Sequence, residues 1–347
     1  MNKIIYSGIS ALALMLTACG GGSDAASCRF ETQQNLDKGN FSAVITELSN
    51  PSSECRAAYN SDEWKIDLGA AYMGEAGLSV SDIIGLIGLD TGTGATYQTF
   101  INGVSAKQTP TALSSLDNAE STYVSALGAN LCTDPSLTSS QKDICLYIGL
   151  AQTMLATTTI NYLVDDIAAL FDPTNPNYTA AKEEMRASVC ALEFADSNSV
   201  CADASSVTGT DVVFTYSDAS TRTFRDIVVT MSGTSTVYHK LGTASGVTPG
   251  TTVVTQGYCN NDFSNPSAVW NMTSSPYACP LNQDPTKADQ NVTTLLVDTL
   301  DNGLDSVAGA LAGDANLQQD INTYKSEIDT NSDGISISEL QTYLNNL

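Results

Sequence analysis

Apolar residues recur three and four positions apart along most of the chain, the spacing that gives an α-helix one buried face. Across residues 28–200 this spacing shows in Val44, Ile45 and Leu48, and again in Leu116, Val124 and Leu127, and it predicts a helical domain. Residues 144–164 carry no charge, a stretch long enough to span a bilayer. Gln152, Thr153, Thr157, Thr158, Thr159 and Asn161 interrupt it, however, so the stretch is expected to be a buried central helix. Between 202 and 275 the pattern changes: Leu241 is the one leucine, and Thr, Ser and Val dominate. Val212–Tyr216 and Thr223–Val229 flank the polar Ser217–Ser220, which predicts a hairpin, with a further strand over 251–256. The β-rich insertion is placed at 202–280. Over 286–347 the helical period returns. Val292, Leu295, Leu296, Leu300, Leu304, Val307 and Leu311 trace one face, and two more helices are expected over 314–327 and from 338 onward.

The start of the chain follows another logic. Lys3 precedes an apolar run from Ile4 to Leu16, which describes a secretory signal too short to be a membrane span. The run Leu16-Thr17-Ala18-Cys19 resembles the lipobox of bacterial lipoproteins. The resemblance implies that residues 1–18 are removed, that Cys19 is lipidated, and that the protein is held on a membrane by acyl chains. Gly20 stands where an aspartate would favour inner-membrane retention in that family, so the resemblance implies the outer membrane of a diderm bacterium, on either face. Residues 19–27, with Gly20-Gly21-Gly22-Ser23, are expected to form a flexible tether.

Cysteine usage fits export. Without Cys19, eight cysteines remain, an even number behind an export signal. Eight cysteines allow 105 pairings. They fall into four neighbouring couples, which favours Cys28–Cys55, Cys132–Cys145, Cys190–Cys201 and Cys259–Cys279. No C-x-x-C pair occurs, which argues against redox or haem attachment roles.

Composition narrows the function classes. Of 347 residues, 38 are acidic and 14 basic, a formal net charge of −24 that repels phosphate backbones and excludes nucleic acid as an expected partner. A single histidine, His239, removes most triad and histidine-metal chemistry, and it reads as a partly buried strand residue. Asp90-Thr91-Gly92-Thr93-Gly94 lacks the strand–loop–helix setting of a phosphate loop, and Asp172–Asn177 reads as a turn between helices. No catalytic residue is assigned.

Two motifs carry further resemblances. Gly39-Asn40-Phe41, followed by Val44, and then Leu68-Gly69-x-x-Tyr72 resemble the tetratricopeptide repeat, with a spacing of about 37 residues against the family's 34. Leu68 and Tyr72 share a helical face and Gly69 admits a close neighbour. Lys65 occupies the family's tryptophan position, with Trp64 beside it. Over residues 25–90 the resemblance implies a groove that binds a peptide or protein.

The second run, Asp329-Thr330-Asn331-Ser332-Asp333-Gly334-Ile335-Ser336-Ile337-Ser338-Glu339, resembles the EF-hand calcium loop. Glu339 stands at position eleven instead of twelve, and the simplest alignment deletes position seven with its carbonyl ligand. The resemblance implies that Asp329, Asn331, Asp333, Ser336 (through water) and Glu339 hold Ca²⁺. It implies a structural clip of extracellular affinity, about 10⁻⁴ to 10⁻³ M.

The expected architecture is therefore mainly α: a tetratricopeptide-like bundle, a small β insertion, and a C-terminal EF-hand-like helix–loop–helix. The expected function is a non-enzymatic envelope lipoprotein that binds a protein or peptide. The alternative is an envelope enzyme or glycan-binding module using Tyr216, Tyr258, Trp270 and Tyr277 around the β segment.

Overall fold

Small polar side chains set where several helices begin, because each supplies an acceptor to a backbone N–H left free in the first turn. Ser53 accepts from Arg56 N at 3.1 Å and Asp166 from Ala169 N at 3.1 Å. In a computed structural model, the residues described are 24–59, 61–87, 97–132, 134, 136–161, 163–164, 166–197, 201–215, 221–245, 258–259, 292–310 and 315–347. The fold is mainly helical with a small β insertion.

Among the described residues, ten α-helices come first: α1 (Asp24–Asp37), α2 (Phe41–Ser49), α3 (Glu54–Ala58), α4 (Trp64–Glu75), α5 (Val80–Ile87), α6 (Tyr97–Ser105), α7 (Ala112–Leu127), α8 (Ser139–Asn161), α9 (Ile167–Leu170) and α10 (Tyr178–Ser197). Four strands follow: β1 (Ser206–Thr215), β2 (Thr221–Met231), β3 (Thr234–Ser245) and β4 (Tyr258–Cys259). The chain ends in α11 (Val292–Ala310), α12 (Ala315–Ile328) and α13 (Ile337–Asn346).

Helix α8 is the centre, packed between α7 and α11. Part of its buried polarity is satisfied within the structure, whereas Thr153 Oγ1, Thr158 Oγ1 and Asn161 Oδ1 find no hydrogen-bond partner among the described residues. Thr157 donates to Thr153 O at 2.7 Å and meets the Tyr97 hydroxyl at 2.9 Å, and Asn161 Nδ2 donates to Gln108 at 3.0 Å. No described helix is long and apolar enough to cross a membrane.

A smaller core of Val44, Leu48, Tyr59, Leu68 and Ala71 joins α2, α3 and α4 beside the main one. Helix α4 then packs on α7, and Gly69 makes that approach feasible: a Cβ there would lie 2.4 Å from the Tyr123 ring. Outside α4, Arg56 stacks its guanidinium 3.8 Å from the centre of the Trp64 ring.

The strands form one antiparallel sheet in the order β1-β2-β3-β4. Thr215 pairs with Thr221 at the end of the antiparallel β1–β2 ladder, as the expected hairpin requires. A second hairpin joins β2 to β3 through Ser232 and Gly233, both at positive φ, the geometry that matches strand twist. Ile227, Val229 and Met231 alternate along β2 and are buried, on a strand that packs against α10. His239 lies in β3, opposite Asp226 and Cys259.

Disulfides join Cys28 to Cys55, Cys132 to Cys145 and Cys190 to Cys201, with Cα separations of 5.4, 5.5 and 5.5 Å. Cys259 is in β4, and its expected partner Cys279 lies outside the described residues. So do the leader, Cys19, the expected strand over 251–256, Tyr216, Trp270 and Tyr277. One boundary is corrected. Residues 24–27, assigned to the flexible tether, form the first turn of α1. Two alanines have high helix propensity, and Asp24 suits a helix N-terminus.

Candidate metal centre

The two C-terminal helices are joined by eight residues rich in oxygen donors. Ser332 at φ 63° and Gly334 at φ 107° turn this segment back on itself. The second of these angles favours a residue without a Cβ. As a result one carboxylate oxygen each from Asp329, Asp333 and Glu339 come within 4.8 Å of one another. Asp329, at the end of α12, is buried; Glu339, in the first turn of α13, is half-buried; Asp333 is exposed. An all-oxygen set of this kind suits a hard cation, and these three side chains can hold a metal ion.

Hydrogen bonds hold the group in shape. Asp329 accepts from Ser332 N at 2.7 Å and from Gly334 N at 3.1 Å. Asn331 Oδ1 accepts from Asp333 N at 3.3 Å. Ser336 is the N-cap of α13: its hydroxyl accepts from Glu339 N at 3.3 Å, and Glu339 reaches back to Ser336 N at 3.1 Å, a capping box. Glu339 also accepts from Thr330 N and its hydroxyl, both at 3.0 Å. Bonds from Ser336, then those from Thr330, hold the Glu339 carboxyl down at about 2, well below the ordinary range. It is therefore ionised, as a ligand must be.

Of the five residues proposed from sequence as ligands, the structure brings Asp329, Asp333 and Glu339 together. Asn331 orders the loop backbone and Ser336 caps the following helix. Sequence reasoning missed Asp301, in α11, which acts across 34 positions on Ile335. Its Oδ1 accepts from Ile335 N at 3.2 Å and pairs with Lys325 Nζ at 2.9 Å, and Lys325 also pairs with Asp305 at 2.7 Å. Burial works against the Lys325 charge, but bonds to Asp305 and Asp301 outweigh it and raise its pKa. Asp301 thus holds the segment at two points, through Lys325 on the helix before it and through Ile335 near its end. An acidic residue on a helix in an acidic chain carries no sequence mark of such a role.

Two more residues were missed. Tyr324 donates its hydroxyl to Ile87 O at 3.0 Å, and Glu327 accepts from Tyr97 N at 2.9 Å. Burial raises the Glu327 pKa, opposed by the Tyr97 N–H. Comparison of the chain with protein-family models, with curated proteins and with solved structures gives no match.

Proposed function

We propose that this protein is a cell-envelope lipoprotein, lipidated at Cys19 and held at the outer membrane, whose helical body serves as a non-enzymatic scaffold for a protein or peptide. One calcium ion, held by Asp329, Asp333 and Glu339, fastens its C-terminal helix pair. The observation that carries the metal reading is the convergence of three carboxylate oxygens within 4.8 Å between two helices. Calcium fits better than a softer ion, because the donors are all oxygen and neither histidine nor cysteine stands among them. The lipobox-like leader and the three disulfides support export, since such bonds persist outside the reducing cytosol. The binding role rests on the repeat-like helices within 25–90, and the acidic balance of the chain favours a partner other than nucleic acid.

Melting the protein with calcium and with a chelator tests the ion: calcium raises the melting temperature, and Asp333→Ala abolishes the rise. Equal melts in both conditions remove the site. Incorporation of labelled palmitate, lost in Cys19→Ser, tests the anchor. Enrichment of one envelope protein that depends on residues 28–90 tests the scaffold.

A further inference from the structure

The helices that flank the acidic loop both end on the same neighbour. Tyr97, the first residue of α6, packs its ring 6.0 Å from Tyr324 of α12 and 6.0 Å from Tyr343 of α13. Phe100, one turn further along α6, lies 5.4 Å from the Tyr324 ring. Helix α12 also binds two backbone groups that helices cannot satisfy internally. The Tyr324 hydroxyl takes the carbonyl of Ile87, the last residue of α5, and the Glu327 carboxylate takes the N–H of Tyr97. Tyr324 and Glu327 are three apart and so share one face of α12. That face therefore secures the end of α5 and the start of α6 together.

We propose that this arrangement makes the loop a calcium-controlled clamp, in which an ion at Asp329, Asp333 and Glu339 sets the grip of α12 and α13 on the ends of α5 and α6. The inference rests on the calcium reading above. Three anionic oxygens close together repel one another and push the end of α12 from the start of α13. A divalent cation between them reverses that force. Because Tyr97 touches a ring from each flanking helix, a change in their relative placement reaches α6 directly. Three packed aromatic contacts and two backbone anchors have one best arrangement, and the ion favours it by binding that arrangement more tightly.

The test is hydrogen exchange on the full chain with calcium or with chelator, alongside calorimetric titration with calcium chloride. Calcium slows exchange of amides over 97–105 and over 80–87 at least about fivefold, the lower end of ordinary site-to-site coupling. Glu327→Ala removes the protection of 97–105 and keeps that of 80–87, while Tyr324→Phe does the reverse. Neither residue belongs to the ligand set, and the wild-type measurement stands even where a variant folds poorly. Calcium heat with unchanged exchange in both segments overturns the clamp and leaves the ion site standing. Absence of calcium heat overturns the ion site, and the clamp falls with it.

Discussion

The N-terminal helices α1–α4 and the C-terminal pair α12–α13 are both laid against the main helical core, but they are held by different chemistry. The N-terminal unit has its own small core around Val44, Leu48 and Leu68, and a disulfide from Cys28 to Cys55 ties α1 to α3. The C-terminal pair has no cysteine anywhere after Cys279. Its side chains Ile321, Tyr324, Ile328, Leu340 and Leu344 belong to the main core, and the acidic loop with Asp301 joins its two helices. A covalent bond works in any ionic medium, whereas a cation clip depends on what surrounds the protein. The two ends should therefore respond to different reagents.

The largest effect is expected from reductant. In the chain-entropy account each disulfide contributes about 3 kcal/mol, so loss of the three described amounts to roughly 9 kcal/mol. At about 2–4 °C per kcal/mol for a chain of this class, melting should fall by on the order of 20 °C. The loss should begin in α1–α3, and an unchanged melt in reductant would erase the contrast. Calcium comes second. At a hundredfold excess over its dissociation constant an ion adds about 2.7 kcal/mol, or roughly 5–10 °C, and this should act on α12–α13 while leaving exchange in α1–α3 unaltered. Calcium protection confined to the N-terminal unit would invert the comparison.

Asp301 comes third. Asp301→Ala strands Ile335 N and weakens the hold on Lys325, at about 1–3 kcal/mol, and should lower the chelator-treated melt. Asp301→Asn keeps an acceptor for Ile335 N and should recover part of that loss. Equal losses in both variants would assign the whole effect to the ion pair with Lys325. Supporting groups around metal ligands commonly change affinity about 10–100-fold, so Asp301→Ala should also weaken calcium binding in titration.

These residues mark what the sequence discloses and what it hides. The helices over 292–310, 315–328 and 337–346 are legible because a helix writes its buried face in local spacing, as Leu300, Leu304 and Val307 do. The loop is legible for the same reason: Asp329, Asp333, Gly334 and Glu339 act within eleven positions. Asp301, Tyr324 and Glu327 act across 34, 237 and 230 positions, and only the packed chain brings their partners to them. Gly69 was legible as a site of close approach, but Tyr123 as the group that fills it was not. The turn at Ser232-Gly233 follows a local rule as well, since glycine admits the positive φ that a two-residue hairpin turn needs.

The smallest effect is one of sign, and it sets the two ends against each other with acid. Asp67 in α4 accepts from the Tyr59 hydroxyl at 2.7 Å and from Gln33 at 2.8 Å, yet burial outweighs both bonds and raises its pKa above the ordinary value. The fold thus prefers Asp67 neutral. Its charge weakens the N-terminal unit near pH 7, and acidification through the raised pKa relieves that strain. Glu339 is held at about 2, so the fold prefers it charged. Its contribution is present above about pH 4.5 and is lost as the pH falls toward 2. Exposure to solvent screens this contribution, which keeps the effect small. Melting curves in chelator from pH 7 to 2 separate the two. Asp67→Asn should raise the melting temperature at pH 7, and Glu339→Gln should lower it. Both differences should shrink on acidification, Asp67→Asn losing its advantage first because its carboxyl protonates at the higher pH. Shifts of the same sign would mean that the buried carboxylate is stabilised by its two donors as firmly as the capping glutamate is by Ser336, and the electrostatic half of the contrast would fail.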